Sequence, residues 1–142
     1  MLIREFELGR SLLARLEHGE EIIGQITSII REEDIRAGHL SAIGALEEAE
    51  IGCYNQQTHK YQGIKINEPV EIASCSGNIS LLEGRPFAHV HAVLSGMEGK
   101  VLAGHLTSGR IFAAELYIQE LGGQELIRSE DPVTGLNLWR EE

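Results

Sequence analysis

Long hydrophobic runs are missing from this chain, as are paired cysteines, basic clusters and most aromatic content. No apolar stretch approaches the roughly 20 residues a helix needs to cross a bilayer. The N-terminus lacks the charged-then-apolar shape of a secretory signal, so the expected compartment is the cytoplasm. The only two cysteines, Cys53 and Cys75, lie far apart without C-x-x-C spacing. They read as buried strand thiols, not as ligands or a disulfide. Also missing are a nucleophile elbow, a phosphate loop and a dinucleotide fingerprint, so no defined reaction announces itself. No linker, repeat or low-complexity segment divides the chain, and residues 1–142 are read as a single domain.

Positive charge is scarce. Twelve Lys and Arg against 22 Asp and Glu give a net charge of −10, and the basic residues are scattered. The closest pairs, Lys60 with Lys65 and Arg31 with Arg36, form neither a run nor a stripe. Neutralising nucleic-acid phosphates takes a basic patch, and an acidic chain repels DNA instead of steering it.

What is present is a dense succession of alternating patterns around one helix. Glu20 to Ala37 carries Ile22, Ile23, Ile26, Ile29 and Ile30 on one stripe. Glu20 and Glu21 stand in the first turn, where the helix dipole favours acids, and Gly38 stands where a glycine cap is expected. Before the helix, Leu2–Leu8 and Ser11–Leu16 read as two extended pieces, and His18 beside Gly19 as a solvent-facing residue without a role. After it, strands are predicted at His39–Leu46, Ala49–Tyr54, Tyr61–Ile66, Val70–Leu82, Phe87–Ser95, Lys100–Leu106 and Arg110–Glu120. A bulge is expected within Ser74–Asn78. The tail, 121–142, contains an Asp131–Gly135 turn followed by Leu136, Leu138 and Trp139. Short connections favour antiparallel neighbours. The fold class is therefore α+β, an antiparallel sheet of about seven strands with one main helix and short helical segments. One helix covers only part of such a sheet. Phe112, Leu116 and Ile118 therefore need a further cover, either a second subunit or the Leu136–Trp139 segment.

The chemistry-bearing stretch is Pro86–Leu106. Two alternating runs flank a glycine-bracketed turn, a hairpin signal. His89 and His91, two residues apart, project from one strand face. Folding the hairpin at Ser95–Lys100 sets His105 opposite or nearly opposite His91, where facing β-carbons are about 5 Å apart. A one-residue slip would send His105 to the other face. Three converging imidazoles make a candidate metal site. With an open fourth position they suit zinc best, although nickel, copper and iron also accept imidazole.

Several blocks resemble one family in the right order. Gly19-Glu20-Glu21-Ile22 opens the helix, and Arg36-Ala37-Gly38-His39-Leu40-Ser41-Ala42-Ile43-Gly44-Ala45 follows it. Then come Ser76-Gly77-Asn78-Ile79, His89 to Ser95, Gly104-His105-Leu106 and Ala114-Glu115-Leu116. Together they resemble the PPC (plants and prokaryotes conserved) domain over roughly residues 5–120, of the single-domain prokaryotic type. The resemblance implies an antiparallel sheet flanked by helices, a homotrimer, and one zinc ion per subunit on His89, His91 and His105.

Two classes of function are expected from these readings. One is a metal-binding trimeric module for assembly or regulation. The alternative is a zinc-dependent hydrolase or lyase acting on a small molecule, with Glu115 as its acid/base by resemblance and by its place on the adjacent strand, and Glu71 and Glu83 behind it. A second alternative, DNA binding, comes from plant members that join this domain to AT-hooks. The hook core is Arg-Gly-Arg-Pro, and here the nearest match is Glu83-Gly84-Arg85-Pro86, with an acid in place of the first arginine. The charge balance leads to a definite expectation. Electrophoretic shifts at physiological salt should show weak binding to duplex DNA without sequence preference, and a submicromolar AT-selective complex would contradict it.

Overall fold

The computed structural model describes residues 1–140. One α-helix and eight strands follow one another as β1 (Glu7–Arg15), α1 (Ile22–Glu32), β2 (Gly38–Asn55), β3 (Lys60–Ile66), β4 (Val70–Leu82), β5 (Arg85–Gly96), β6 (Val101–Gly122), β7 (Ile127–Glu130) and β8 (Asn137–Trp139). The α+β expectation holds, with corrections: the sheet has eight strands, and α1 is the only helix among the described residues. The sheet is also mixed, since β7 runs parallel to β4 while the other pairs are antiparallel.

Helix α1 forms where the isoleucine stripe placed it. Glu21 is its N-cap, accepting from the backbone N–H groups of Ile23 at 3.1 Å and Gly24 at 2.6 Å. Ile22, Ile26 and Ile30 are fully buried, while Ile23 and Ile29 pack partly against the same core. The helix ends five residues earlier than Ala37. Asp34, at φ 49°, takes the left-handed position expected of Gly38. The Ile35 N–H then reaches the Ile30 carbonyl at 2.8 Å and the Asp34 N–H that of Arg31 at 3.2 Å, the paired bonds of a Schellman ending. Aspartate tolerates that conformation better than most side chains do. Gly38 has a different reason to be glycine. A β-carbon there would stand 2.8 Å from the Gln119 carbonyl of the neighbouring strand.

Several predicted strands are halves of longer ones. His39–Leu46 and Ala49–Tyr54 join in β2, and Lys100–Leu106 and Arg110–Glu120 join in β6. Both strands bend, with register shifts in their pairing between Ala45 and Ile51. Gly44, at φ 141°, carries part of that bend, and a side chain there would run into the Ala113 carbonyl. The two N-terminal pieces likewise merge as β1, with a shift between Leu8 and Ser11, and residues 1–6 are not strand. The irregularity in β4 lies between Ile72 and Ser74, just before the expected Ser74–Asn78 window.

The pairings close a ring. β2 bonds to β6, β6 to β5, β5 to β4, and β4 back to β2. Helix α1 lies against β5 and β6. Leu116 and Ile118, expected to need a further cover, are already in this core at 1% exposure, whereas Phe112 is 60% exposed. The tail does not lie over them, because it continues the sheet beyond β4 as β7 and β8. Cys75 is buried, which pushes its thiol up to about 11, but Cys53 is exposed, contrary to the sequence reading. Both are free thiols.

The core supplies a direct test of these elements. Ile26→Ala removes side-chain atoms from a fully closed position on α1 and should cost about 2–5 kcal/mol in urea unfolding, with an unchanged denaturant slope. A change below about 0.5 kcal/mol would mean that the helix is not seated as described.

Candidate metal centre

Strand β5 alternates cleanly. Pro86, Ala88, Val90, Ala92 and Leu94 point into the core, while Phe87, His89 and His91 share the opposite face. The turn from Gly96 to Lys100, closed by the Gly96 N–H to Lys100 carbonyl bond at 2.9 Å, returns the chain as β6. In the resulting register His91 is the direct partner of His105, as the hairpin parity required. Pairing of β5 with β6 runs from His91 to Ser95, so His89 lies just past it and leans toward His105. The ring centroids of His89 are 5.0 Å from His91 and 5.2 Å from His105.

One ring nitrogen from each histidine falls within 4.8 Å of the other two. The Nε2 atoms of His89 and His91 are 3.2 Å apart. Two nitrogens bound tetrahedrally to one zinc ion stand about 3.3 Å apart, given Zn–N bonds of about 2.05 Å. His105 Nδ1 is buried without a hydrogen-bond partner among the described residues, a polar atom that lacks its second contact. The donor set therefore fits a divalent ion held by three imidazoles, with further coordination left to an outside ligand.

Protonation favours the same use. Burial first, then the charge of Arg128 and the other two histidines, pushes His89 down to about 4. Burial and the neighbouring His91 lower His105 as well. Both rings thus keep a free lone pair at neutral pH, as metal binding requires.

The surroundings contain residues that strand parity alone did not bring forward. A pocket of 310 Å³ reaches from His89 and His105 to Tyr54, Tyr61, Phe87 and Arg128. Tyr54 and Tyr61 are direct partners across the β2–β3 hairpin, and the Tyr61 ring lies 5.3 Å from that of His105. The tail forms the outer wall. Asp131 accepts from the Thr134 N–H at 2.8 Å and hydroxyl at 2.7 Å, and the Tyr54 hydroxyl donates to the Thr134 carbonyl at 2.6 Å. The Tyr54–Tyr61 pair was readable from the sequence, as aromatic residues flanking a polar turn. Arg128 was not, because nothing local ties residue 128 to residue 89.

The carboxylates expected near the metal are elsewhere within the chain. Glu115 lies on β6 with His105, ten positions further along, exposed between Arg15 of β1 and Ile43 of β2. Glu71 pairs with Ser95 at the far end of β4, beside an apolar pocket that includes Phe112. Glu83, at φ 52°, and Gly84, at φ 73°, form the two-residue β4–β5 turn. The stretch that echoes an AT-hook is thus a primed hairpin turn, not an extended arm. His18 is exposed, bonded through Nδ1 to the Phe112 carbonyl at 2.8 Å.

Residues 3–122 match the Plants and Prokaryotes Conserved (PCC) domain. The chain belongs to that family. A structure from Archaeoglobus fulgidus, described as a metal-containing protein, is 42% identical with a TM-score of 0.95, over 99% of this chain and 100% of its own. A plant- and prokaryote-conserved (PPC) protein from Pyrococcus horikoshii is 37% identical with a TM-score of 0.94, over 100% of this chain and 99% of its own. A Bacteroides thetaiotaomicron protein, whose given name proposes DNA binding without asserting it, is 25% identical with a TM-score of 0.86 over 95% of this chain and 96% of its own. No curated protein matches the sequence.

The depressed His89 basicity sets a pH dependence for the metal-free protein. Unfolded, this imidazole takes a proton near pH 6.5, whereas folded it resists until about pH 4. Between those values the unfolded state binds more protons, so this group's contribution is full above about pH 6.5 and is lost as pH falls toward 4. Urea midpoints measured from pH 7 to 4.5 should therefore fall more steeply for wild type than for His89→Asn. Parallel curves would contradict the assignment.

Proposed function

We propose that this protein is a homotrimeric metal-binding module of the PCC family, holding one divalent ion, zinc, per subunit on His89, His91 and His105. The observation that carries the reading is the convergence of three ring nitrogens within 4.8 Å on a face that also holds an orphaned buried nitrogen. The related A. fulgidus protein, described as metal-containing, supports it. Zinc is the choice because imidazole donors at tetrahedral spacing with one open corner suit an ion without geometric demands of its own. We place the protein in the cytoplasm, where both free thiols stay reduced. The described helix is not long and apolar enough to cross a membrane.

The trimer draws support from an exposed sheet face. Leu13 and Ile43 are 84% and 61% exposed, and they share the outward side of β1, β2 and β6 with Ala45, Ala113 and Tyr117. Such a face is suited to burial against a second copy. The whole chain, tail included, acts as the unit that assembles, and its role is assembly or regulation.

A second reading is a zinc-dependent hydrolase or lyase, favoured by the pocket that opens onto the histidines. A bound zinc ion would supply Lewis-acid chemistry at its open position. Glu115 would serve as the acid/base only if a neighbouring subunit carries it to the histidines, because within one chain it stands on the β1–β2 side of β6. DNA binding is the weakest of the three. It is proposed in the name of a relative that is 25% identical, and a net charge of −10 opposes it.

Elemental analysis of protein purified without chelator or a histidine tag should find one transition metal per chain. Replacing His89, His91 or His105 by alanine should lower that content sharply, with limited loss of fold because the core lies on the other sheet face. Absence of stoichiometric metal from the wild type would defeat the reading. Light scattering at micromolar concentration should give three times the 15.7 kDa chain mass, and a monomer mass would defeat the trimer.

A further inference from the structure

Arg128 takes no part in the metal site as described, and its surroundings call for an anion. It is only 9% exposed. Its Nε donates to Ser80 Oγ at 2.7 Å and its Nη1 to the Asn137 carbonyl at 2.9 Å, both neutral acceptors. The rings of Phe87 and Trp139 flank the guanidinium at 5.9 and 5.4 Å. Among the described residues no carboxylate forms an ion pair with it. Arg10, Arg36 and Arg110, all about half-exposed, each have acid partners.

A buried charge without a counter-ion is costly, and the nearby histidines cannot relieve it, since imidazoles are neutral or positive. Of the five N–H donors of a guanidinium, Ser80 and Asn137 occupy one each. Both Nη atoms therefore still have a hydrogen to offer. Arg128 lines the same 310 Å³ pocket as His89 and His105, and that pocket is otherwise walled largely by aromatic and apolar groups. A fork of donors matches the two oxygens of a carboxylate.

We propose that this pocket binds a small organic carboxylate, with its anionic end on Arg128 and its apolar body against Tyr61 and Phe87, beside the open position of the histidine-held metal. The contact with Arg128 stands on the pocket itself, and the placement beside the metal rests on the metal-binding reading above. Such a ligand completes the charge balance of the site. It also gives the tail, which supplies Arg128, a reason to fold over the histidines.

Trp139 is the only tryptophan and lies beside Arg128, so its emission reports on occupancy. Zinc-loaded protein is titrated with benzoate, and with benzamide as its uncharged isostere, while zinc is counted in the same samples. Benzoate should give a saturable change below about 10 mM, a range typical of weak small-ligand binding, and benzamide should give none. Arg128→Gln should weaken benzoate at least about tenfold, the loss expected for a charged hydrogen bond, with zinc stoichiometry unchanged. Arg128→Lys keeps the charge but not the fork. It should bind several-fold more weakly than wild type, and it serves if the glutamine variant does not fold. His91→Ala should lose zinc yet retain weaker binding that depends on Arg128.

Equal binding of benzamide, unchanged affinity in either Arg128 variant, or no response in wild type overturns the proposal. Binding that depends on Arg128 in a wild-type protein without zinc supports the arginine contact and overturns the metal reading instead.

Discussion

The register of β5 against β6 is the constraint on which the site depends. Backbone hydrogen bonds fix which residues stand opposite one another, and side chains alternate between faces with a period of two. Pairing His91 with His105 therefore settles two things together. It brings the histidines to one place, and it sends Ala92, Leu94 and Leu106 into the core. A slip of one residue would bury an imidazole and expose leucine, so burial of the core holds the site in register. The donors are built into a rigid ladder, and their preorganisation comes from the same pairing that closes the ring of β2, β6, β5 and β4.

This explains why the histidines were legible in the sequence. An H-x-H pair, a glycine-bracketed turn and a third histidine of matching parity are local signals, and local signals suffice for a hairpin. The main helix was legible for a similar reason, since its isoleucine stripe has the helical period. Its end was not. Sequence favoured Gly38 as the stop, but Asp34 adopted the left-handed conformation and Ile35 was drawn into the core, so tertiary burial overrode the usual preference for glycine.

What could not be read was long-range. The merging of pairs of predicted strands into β2 and β6 depends on bends that satisfy two neighbours each, and Gly44 as a bend signals nothing until Ala113 is known to lie against it. The tail looked like a turn with a few apolar residues, yet it extends the sheet and sets Arg128 over the histidine face. Cys53 was misjudged because its strand, β2, is paired by β3 and β6 near its end without being covered there. Aromatic scarcity, by contrast, was informative in hindsight. Tyr54, Tyr61, Phe87 and Trp139, most of the few this chain has, gather around one pocket and its arginine.

Strand β2 is bonded over its first half to both β4 and β6, and its opening residue Gly38 pairs with Glu120. Gly38 and Glu120, far apart in the sequence, must therefore meet before the middle wall of the ring exists. Loop closure of that length gives no reward until many contacts form together. This protein should be a slow folder for its size, reaching its native state in milliseconds to seconds and not in microseconds. While β2 waits for β6, its unpaired edge stays open to other chains. The short hairpin that carries His91 and His105 has no such delay. It shares that advantage with the β2–β3 and β4–β5 hairpins, which also form between sequence neighbours.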